Sequence, residues 1–532
     1  MIRLFEIKLP VDHTRAHLRA AVSCALALPE SRIAQFFIRR QAIDARKKGA
    51  IALVYTIDCD VADQDAVLAR NRNPKIVGAP DESYQNVQPG AVALPGNPVI
   101  VGSGPAGLFA GLLLAQSGYR PVILERGRDV DTRAQDVEKF WETGALNSGS
   151  NIQFGEGGAG TFSDGKLTTL INDPRCRKVL EEFAAAGAPQ DILSSARPHI
   201  GTDLLRSVVR NIREKIITLG GTVRFSHQVT DMRVKNGALA AVQINKSEWN
   251  DCALAIFASG HSARDTVAML FDRGLSMTQK PFALGVRIEH PQYLIDTAQY
   301  GSFANHPRLG PAEYKMAFHG EDRRSAFTFC MCPGGEVIAA ASEAGGVVTN
   351  GMSNHARSGR NANAALLVNV TPADFPDTHP LSGFEFQKIW EQKAFALGNG
   401  DYAAPVQLLG DFLKNQPSRK TGCVMPTYRP SVNPVDLAAC LPRCVCDTLH
   451  KAIPAFARQI NGFDHPEAVL TGVETRTSSP VRIQRNEQFM GSIGGVYLAG
   501  EGAGYAGGIM SAAADGIRAA EAIIRTYAPY SS

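Results

Sequence analysis

The glycines between positions 102 and 107 are the first residues in this sequence whose types and spacing carry chemistry. Val99-Ile100-Val101 is a short apolar run, followed by Gly102-Ser103-Gly104-Pro105-Ala106-Gly107 and then by a helix-forming stretch through Gln116. Strand, glycine-rich turn and helix in that order make a cradle for a pyrophosphate. Gly102 permits the tight turn, Gly104 lets the backbone approach the phosphate, and Gly107 allows the helix to lie against the strand. Pro105 and Ala106 open the helix, where a proline is well tolerated, and the free N–H groups of that first turn face the anion.

An acid completes this unit. Gly118 ends the helix where a residue able to adopt positive φ is favoured, and Pro121 to Leu124 resume an apolar strand that finishes at Glu125, 23 positions beyond Gly102. A carboxylate there is placed to accept hydrogen bonds from an adenosine ribose.

The turn alone does not separate NAD from FAD. Near the other end, Val496-Tyr497-Leu498-Ala499-Gly500-Glu501-Gly502 is an apolar strand ending in an acid. Residues 504–508, with Gly507 and Gly508 last, lead into a helix that starts at Ile509. In flavoproteins of this architecture such an acid holds the ribitol, and the helix start faces the pyrimidine end of the flavin. Its partial positive charge then stabilises a reduced ring. The pairing of the two segments points to FAD. Ala255 to Gly260, an apolar run ending in small residues, fits a second crossover returning near the cofactor.

These motifs need elements to hold them. The chain has 532 residues and a net charge of +4, a length that favours two or three domains. Residues 1–75 read as a small α+β domain: strand 3–9, helix 13–28, strands 33–38 and 51–58, and a helix after Asp60. Residues 76–96 collect prolines and small polar residues and read as a linker. Residues 97–277 form the first part of a Rossmann-type domain. Residues 278–462, where that rhythm disappears, form an inserted β-rich α+β substrate domain. Residues 463–532 return to the cofactor domain. The fold class is therefore α/β.

Charges of both signs are interspersed, which gives no strong electrostatic case for nucleic acid or a membrane surface. No stretch approaches the roughly 18 apolar residues of a membrane span. The ten scattered cysteines match reduced thiols in a cytoplasm. A basic cluster, Arg39, Arg40, Arg46, Lys47 and Lys48, leaves one alternative open, a flavin-containing protein whose first domain recruits RNA or another partner.

With these segments in hand, the sequence resembles the glutathione-reductase-like FAD superfamily and, more closely, a group of uncharacterised bacterial FAD-dependent dehydrogenases. Besides the motifs above, the carriers are Glu125-Arg126-Gly127, the long run from Gly155 to Leu167, Gly260-His261-Ser262-Ala263-Arg264-Asp265, Cys330-Met331-Cys332-Pro333-Gly334-Gly335 and Gly500-Glu501-Gly502. The resemblance implies that the segment holding Gly157, Gly158, Gly160, Thr161, Ser163 and Lys166 runs along the pyrophosphate and flavin. It also implies that the backbone near Val229 meets the adenine. Where the wider superfamily usually has Asp on the last strand, this chain has Glu501.

No second strand–GxGxxG–helix unit follows Gly107, so any NAD(P)H binds transiently or not at all. Cys330 and Cys332 share one face if their run is a regular strand, and a CxC pair beside a flavin could act as a thiol couple. Alternate positions on one strand make a strained disulfide, so two buried, unreactive thiols are the plainer reading. Cys440, Cys444 and Cys446 match no common zinc or iron–sulfur spacing. His261 with Arg264 and Asp265, or Glu289 with His290, could face the flavin, although satisfied structural roles are commoner for such residues. Arg357 and Arg360 with Asn361 and Asn363 could bind an anionic substrate. The expected function is hydride transfer through flavin N5 to or from a small molecule, with a flavin monooxygenase as the alternative chemistry.

Overall fold

The computed structural model describes residues 1–321 and 323–530. Its centre is a five-stranded parallel sheet in the order Val496–Leu498, Ala255–Phe257, Val99–Val101, Val122–Leu124, Thr222–Arg224. The inner strands are short and wholly apolar because both faces of the sheet are covered. Helices Pro105–Gln116 and Ile509–Thr526 lie side by side, so closely that a Cβ on Gly516 would meet the Ala106 carbonyl oxygen at 2.0 Å. Residues 106–115 of the first helix are all buried, as expected of a helix that is apolar on every side. Helix Thr202–Thr218 packs against this pair, while the antiparallel meander Val229–Lys235, Ala238–Ile244, Glu248–Asp251 contributes to a separate core cluster with the sheet strands.

The β-rich domain is built on a seven-stranded sheet, in the order Ala317–His319, Ser325–Cys332, Asn361–Val370, Phe282–Pro291, Val469–Glu474, Ala404–Leu408, Val432–Pro434. Its two central strands pair antiparallel from Phe282↔Val370 to Pro291↔Asn361, and almost every residue in them is buried. The sequence boundary at 462 falls short of this domain's end. Strand Val469–Glu474 pairs with Phe282–Pro291, so the insert extends one strand further. A strand of six buried residues has no alternation to reveal which sheet it joins.

The first domain is a four-stranded antiparallel sheet, Ile33–Asp44, Ala52–Val61, Ile2–Pro10, Ile76–Gly78, carrying helix Arg15–Leu26 behind a Thr14 cap. Residues 76–78, expected in the linker, are thus its fourth strand. The edge strand Ile33–Asp44 joins the cofactor domain at Gln41, which donates to Ser194 O at 2.7 Å and accepts from Ala196 N at 2.8 Å.

The remaining linker is laid along the C-terminal helix rather than left loose. Tyr84 donates to Glu521 at 2.9 Å, Gly90 N donates to Ile524 O at 2.8 Å, and Ala528 N donates to Val92 O at 2.8 Å. Part of the basic cluster is neutralised: Arg39 pairs with Asp58 at 3.3 Å and Glu82 at 2.8 Å, and Arg46 with Asp44 at 2.8 Å. Among the described residues no helix is long and apolar enough to cross a membrane.

Candidate functional site

The glycine-rich turn has the backbone that its sequence requires. Gly102 adopts φ +101°, and a Cβ on Gly107 would lie 1.9 Å from the Gly102 carbonyl oxygen. Helix Pro105–Gln116 starts from Gly104 with no side-chain cap, and helix Ile509–Thr526 starts from Gly508 likewise uncapped. Two sets of orphan N–H groups, each with a positive dipole end, are therefore left for a ligand.

The glycine-rich segment completes the groove. Gly157 N donates to Ser103 O at 2.9 Å. A Cβ on Gly158 would lie 3.0 Å from the Gly104 Cα, one on Gly160 3.0 Å from Ile509 Cγ1, and one on Gly500 2.9 Å from Ala106 Cβ. Gly260 and Gly508 face open space, with nothing within 4 Å of a Cβ at either position. The sequence-predicted residues Gly102, Gly104, Pro105, Ala106, Gly107, Gly158, Gly160, Gly500, Gly508 and Ile509 thus come together where the turn, the glycine-rich segment and the two helix starts meet.

Arg133, fully buried, holds the glycine-rich segment in place. Its guanidinium donates to the carbonyl oxygens of Asn151 at 2.8 Å, Ile152 at 2.8 Å and Glu156 at 2.6 Å. Thr161 and Ser163 use their hydroxyls within the segment: Thr161 Oγ1 donates to Glu156 O at 3.3 Å and Ser163 Oγ to Gly160 O at 2.7 Å. Burial pushes the Glu156 carboxyl up to about 7, and its Oε1 has no partner among the described residues.

The two acids differ. Glu125 accepts from Ser103 N and Oγ at 2.8 Å each, Gly127 N at 2.9 Å and Gly155 N at 3.0 Å. Those four bonds fill about all the lone-pair positions a carboxylate offers, so Glu125 braces the turn. The Glu501 carboxylate, by contrast, has its short polar contact among the described residues with His261 Nδ1, at 3.5 Å. It keeps the acceptor capacity that a polyhydroxy chain would use. Arg126 pairs with Asp265 at 2.8 Å, and Gln228, beside Val229, donates to the same carboxylate at 2.7 Å. Val229 itself is buried.

A second group of charges joins the cofactor domain to the β-rich sheet. Arg264 and Arg476 both grip Glu391, at 2.8 and 3.0 Å. Burial raises the Glu391 carboxyl's tendency to stay protonated, but Arg476 and Arg264 outweigh it and hold the group below the usual carboxylate range. His261 Nε2 meets Arg476 O at 3.1 Å. Arg287 binds Glu474 through two bonds, at 2.6 and 2.8 Å. Lys166 donates to the carbonyl of Met331, and Arg357 binds Asp164 at 2.9 Å and Glu313 at 2.7 Å.

Arg264 and Arg357 are thereby committed to ion pairs. Glu289 is fully buried and accepts from Asn361 at 2.9 Å and Thr427 Oγ1 at 2.6 Å, while His290 meets Phe463 O at 2.7 Å. Both face the interior of the β-rich domain, Glu289 satisfied there and His290 bonded through Nε2 while its Nδ1 has no partner among the described residues. Sequence reasoning missed Arg133, Glu391, Arg476, Arg287 and Glu474. For Arg287 the signal is a charge set in an apolar run, Leu284-Gly285-Val286-Arg287-Ile288, whereas Arg133 and Arg476 stand in polar stretches. No group of three or more metal-ligating side chains occurs among the described residues.

A protein of Clostridium beijerinckii described as uncharacterised is 46% identical over 528 residues, 99% of both chains. Residues 281–477 match the model "FAD-dependent protein, C-terminal domain-like", residues 100–157 match an NAD(P)-binding Rossmann-like domain, and residues 1–60 match a domain of unknown function. Solved structures of halogenase PltM (13% identity, 80% of this chain, 67% of that chain, TM-score 0.36) and flavin-dependent brominase Bmp2 (12%, 80%, 78%, TM-score 0.34) are also similar. Their TM-scores are too low to carry an argument about chemistry. The uncapped helix starts, the glycine-lined backbone between them and the Glu501 carboxylate fit a flavin dinucleotide, and with these matches the chain belongs to a family of uncharacterised bacterial FAD-dependent proteins, FAD being its cofactor.

Proposed function

We propose that this protein is an FAD-dependent oxidoreductase of the dehydrogenase or reductase type, acting on a small molecule admitted between the cofactor domain and the β-rich domain. The observation that supports the reading is that Glu501, next to the helix start, is linked through His261 to Arg476 of the β-rich domain's charged group, at 3.5 and 3.1 Å. When bound, FAD supplies hydride acceptance and donation. The chain's own part is to hold it. The start of helix Ile509–Thr526 favours negative charge on the reduced form, and Glu501 orients the chain that carries the ring.

Without a second dinucleotide motif, a nicotinamide donor binds transiently, and FAD stays while partners exchange. The test is anaerobic mixing of the holoprotein with NADH, NADPH and a panel of metabolites, following flavin absorbance. Bleaching by one of them supports the reading. A flavin that none of them reduces, yet that forms a C4a oxygen adduct when chemically reduced protein meets air, would favour the monooxygenase chemistry that a single Rossmann domain with a β-rich insert also suits.

A further inference from the structure

Two thiols lie where strand Ser325–Cys332 departs from its ladder. Phe329 pairs with Ala365 and Cys332 with Asn363, so Cys330 and Met331 form a bulge. Cys330 takes φ +42°, a left-handed conformation that costs a non-glycine residue about 1–2 kcal/mol and that concentrates at functional positions. In a regular strand the two residues would stand roughly 6.6 Å apart along the chain. The bulge turns them together: the Cys332 thiol donates to the Cys330 carbonyl oxygen, with Sγ 3.3 Å from it.

Two cations stand beside the pair, Arg287 bound to Glu474 and Lys166 3.6 Å from Asp164. Arg287 donates to the Cys330 carbonyl at 3.0 Å, and Lys166 donates to the Met331 carbonyl between the two thiols. Lys166 belongs to the segment whose Gly158 meets Gly104, so the pair is tied to the strip of backbone that borders the cofactor groove. The contact with Cys332, Arg287 and Lys166 lower the Cys330 thiol against burial, while the contact with Cys330 and burial raise the Cys332 thiol. Burial alone pushes the Cys59, Cys252 and Cys446 thiols up to about 12. Those are inert packing groups, whereas Cys330 is half-buried beside a second thiol.

We propose that Cys330 and Cys332 are a redox pair that exchanges two electrons with the bound flavin, cycling between dithiol and disulfide. In the oxidising direction the S–H bond of Cys332 breaks and an S–S bond forms. Two electrons and the Cys332 proton pass to oxidised FAD, and the Cys330 sulfur enters already deprotonated. The reverse step opens the S–S bond at the expense of reduced FAD and returns the proton to Cys332. A disulfide spanning one intervening residue is strained and readily reduced, which suits exchange rather than a permanent crosslink. The proposal rests on FAD binding and not on the identity of the small-molecule substrate.

The test uses purified holoprotein whose flavin content is measured first. It is treated with the thiol oxidant diamide, desalted and titrated anaerobically with dithionite, while thiols are mapped at each point by alkylation and mass spectrometry. The expected result is a Cys330–Cys332 crosslink that opens during the titration, with about four reducing equivalents consumed per flavin and about two in C332S. Wild-type protein that consumes about two equivalents overturns the proposal, as does a pair that remains fully alkylated after the oxidant. The wild-type alkylation map reads out the pair even if the variant folds poorly. A colourless preparation would overturn the cofactor assignment as well, and the separate flavin measurement distinguishes that failure.

Discussion

Gly107 sits beneath the carbonyl oxygen of Gly102, leaving no room for even a methyl group between helix and turn, whereas Gly104, midway between them, would bring its Cβ no closer than 3.8 Å to any protein atom. Packing requires the first glycine; at the second, only a ligand would. G107A should therefore lower the stability of the apoprotein by about 1–3 kcal/mol and G104A should leave it near wild type while abolishing flavin retention. Thermal unfolding of flavin-stripped protein, with released FAD measured separately, checks both. A G104A apoprotein as unstable as G107A would refute the assignment of that space to the cofactor.

The contrast between the two acids gives a second expectation. E125Q places an amide where four N–H and O–H donors converge, and should destabilise the protein by about 1–3 kcal/mol with or without FAD. E501A should leave the apoprotein's melting temperature unchanged and weaken FAD binding by about tenfold to a hundredfold. Flavin fluorescence titration of the stripped proteins measures the second effect.

Glu391 lies between two buried guanidinium groups, so its removal strands both. E391A should cost about 3–5 kcal/mol, read from urea unfolding. The double replacement of Arg264 and Glu391 by apolar residues should recover part of that loss.

The Glu156 carboxyl is raised by burial from 4.5 to about 7. A group protonated more readily in the folded state contributes stability below its unfolded pKa and loses it as pH climbs through the folded one. Between about pH 4.5 and 7 the wild-type unfolding free energy should fall by about 3 kcal/mol relative to E156Q. Parallel denaturation curves for the two proteins across that window would contradict it.

How far such features can be read without coordinates depends on how local they are. Gly102 to Gly107, Gly118 and Glu125 lie within one strand–helix–strand unit, where residue spacing dictates geometry, and the strands and helix fall where that spacing puts them. The donors that saturate Glu125 include the N–H of Gly155, thirty residues on, and nothing in the local pattern announces that bond. The same holds for Arg264 and Glu391, brought together from separate domains. The bulge at Cys330 is hidden for another reason. Phe327-Thr328-Phe329-Cys330-Met331-Cys332 has β-forming composition throughout, and the departure from the ladder arises from its pairing with Asn361–Val370. Strand Val469–Glu474 lies beyond the boundary at 462 because all six of its residues are buried, and no alternation marks which sheet it completes.

The order in which the parallel sheet is threaded sets when the protein can acquire its colour. Val496–Leu498 is an outer strand of that sheet, and the helix that begins at Ile509 supplies one of the two uncapped N-termini. During synthesis the glycine turn, the glycine-rich segment and the whole β-rich domain emerge before either. A chain that has not yet made both therefore presents a half-made slot, and capture of FAD waits on this last strand and helix.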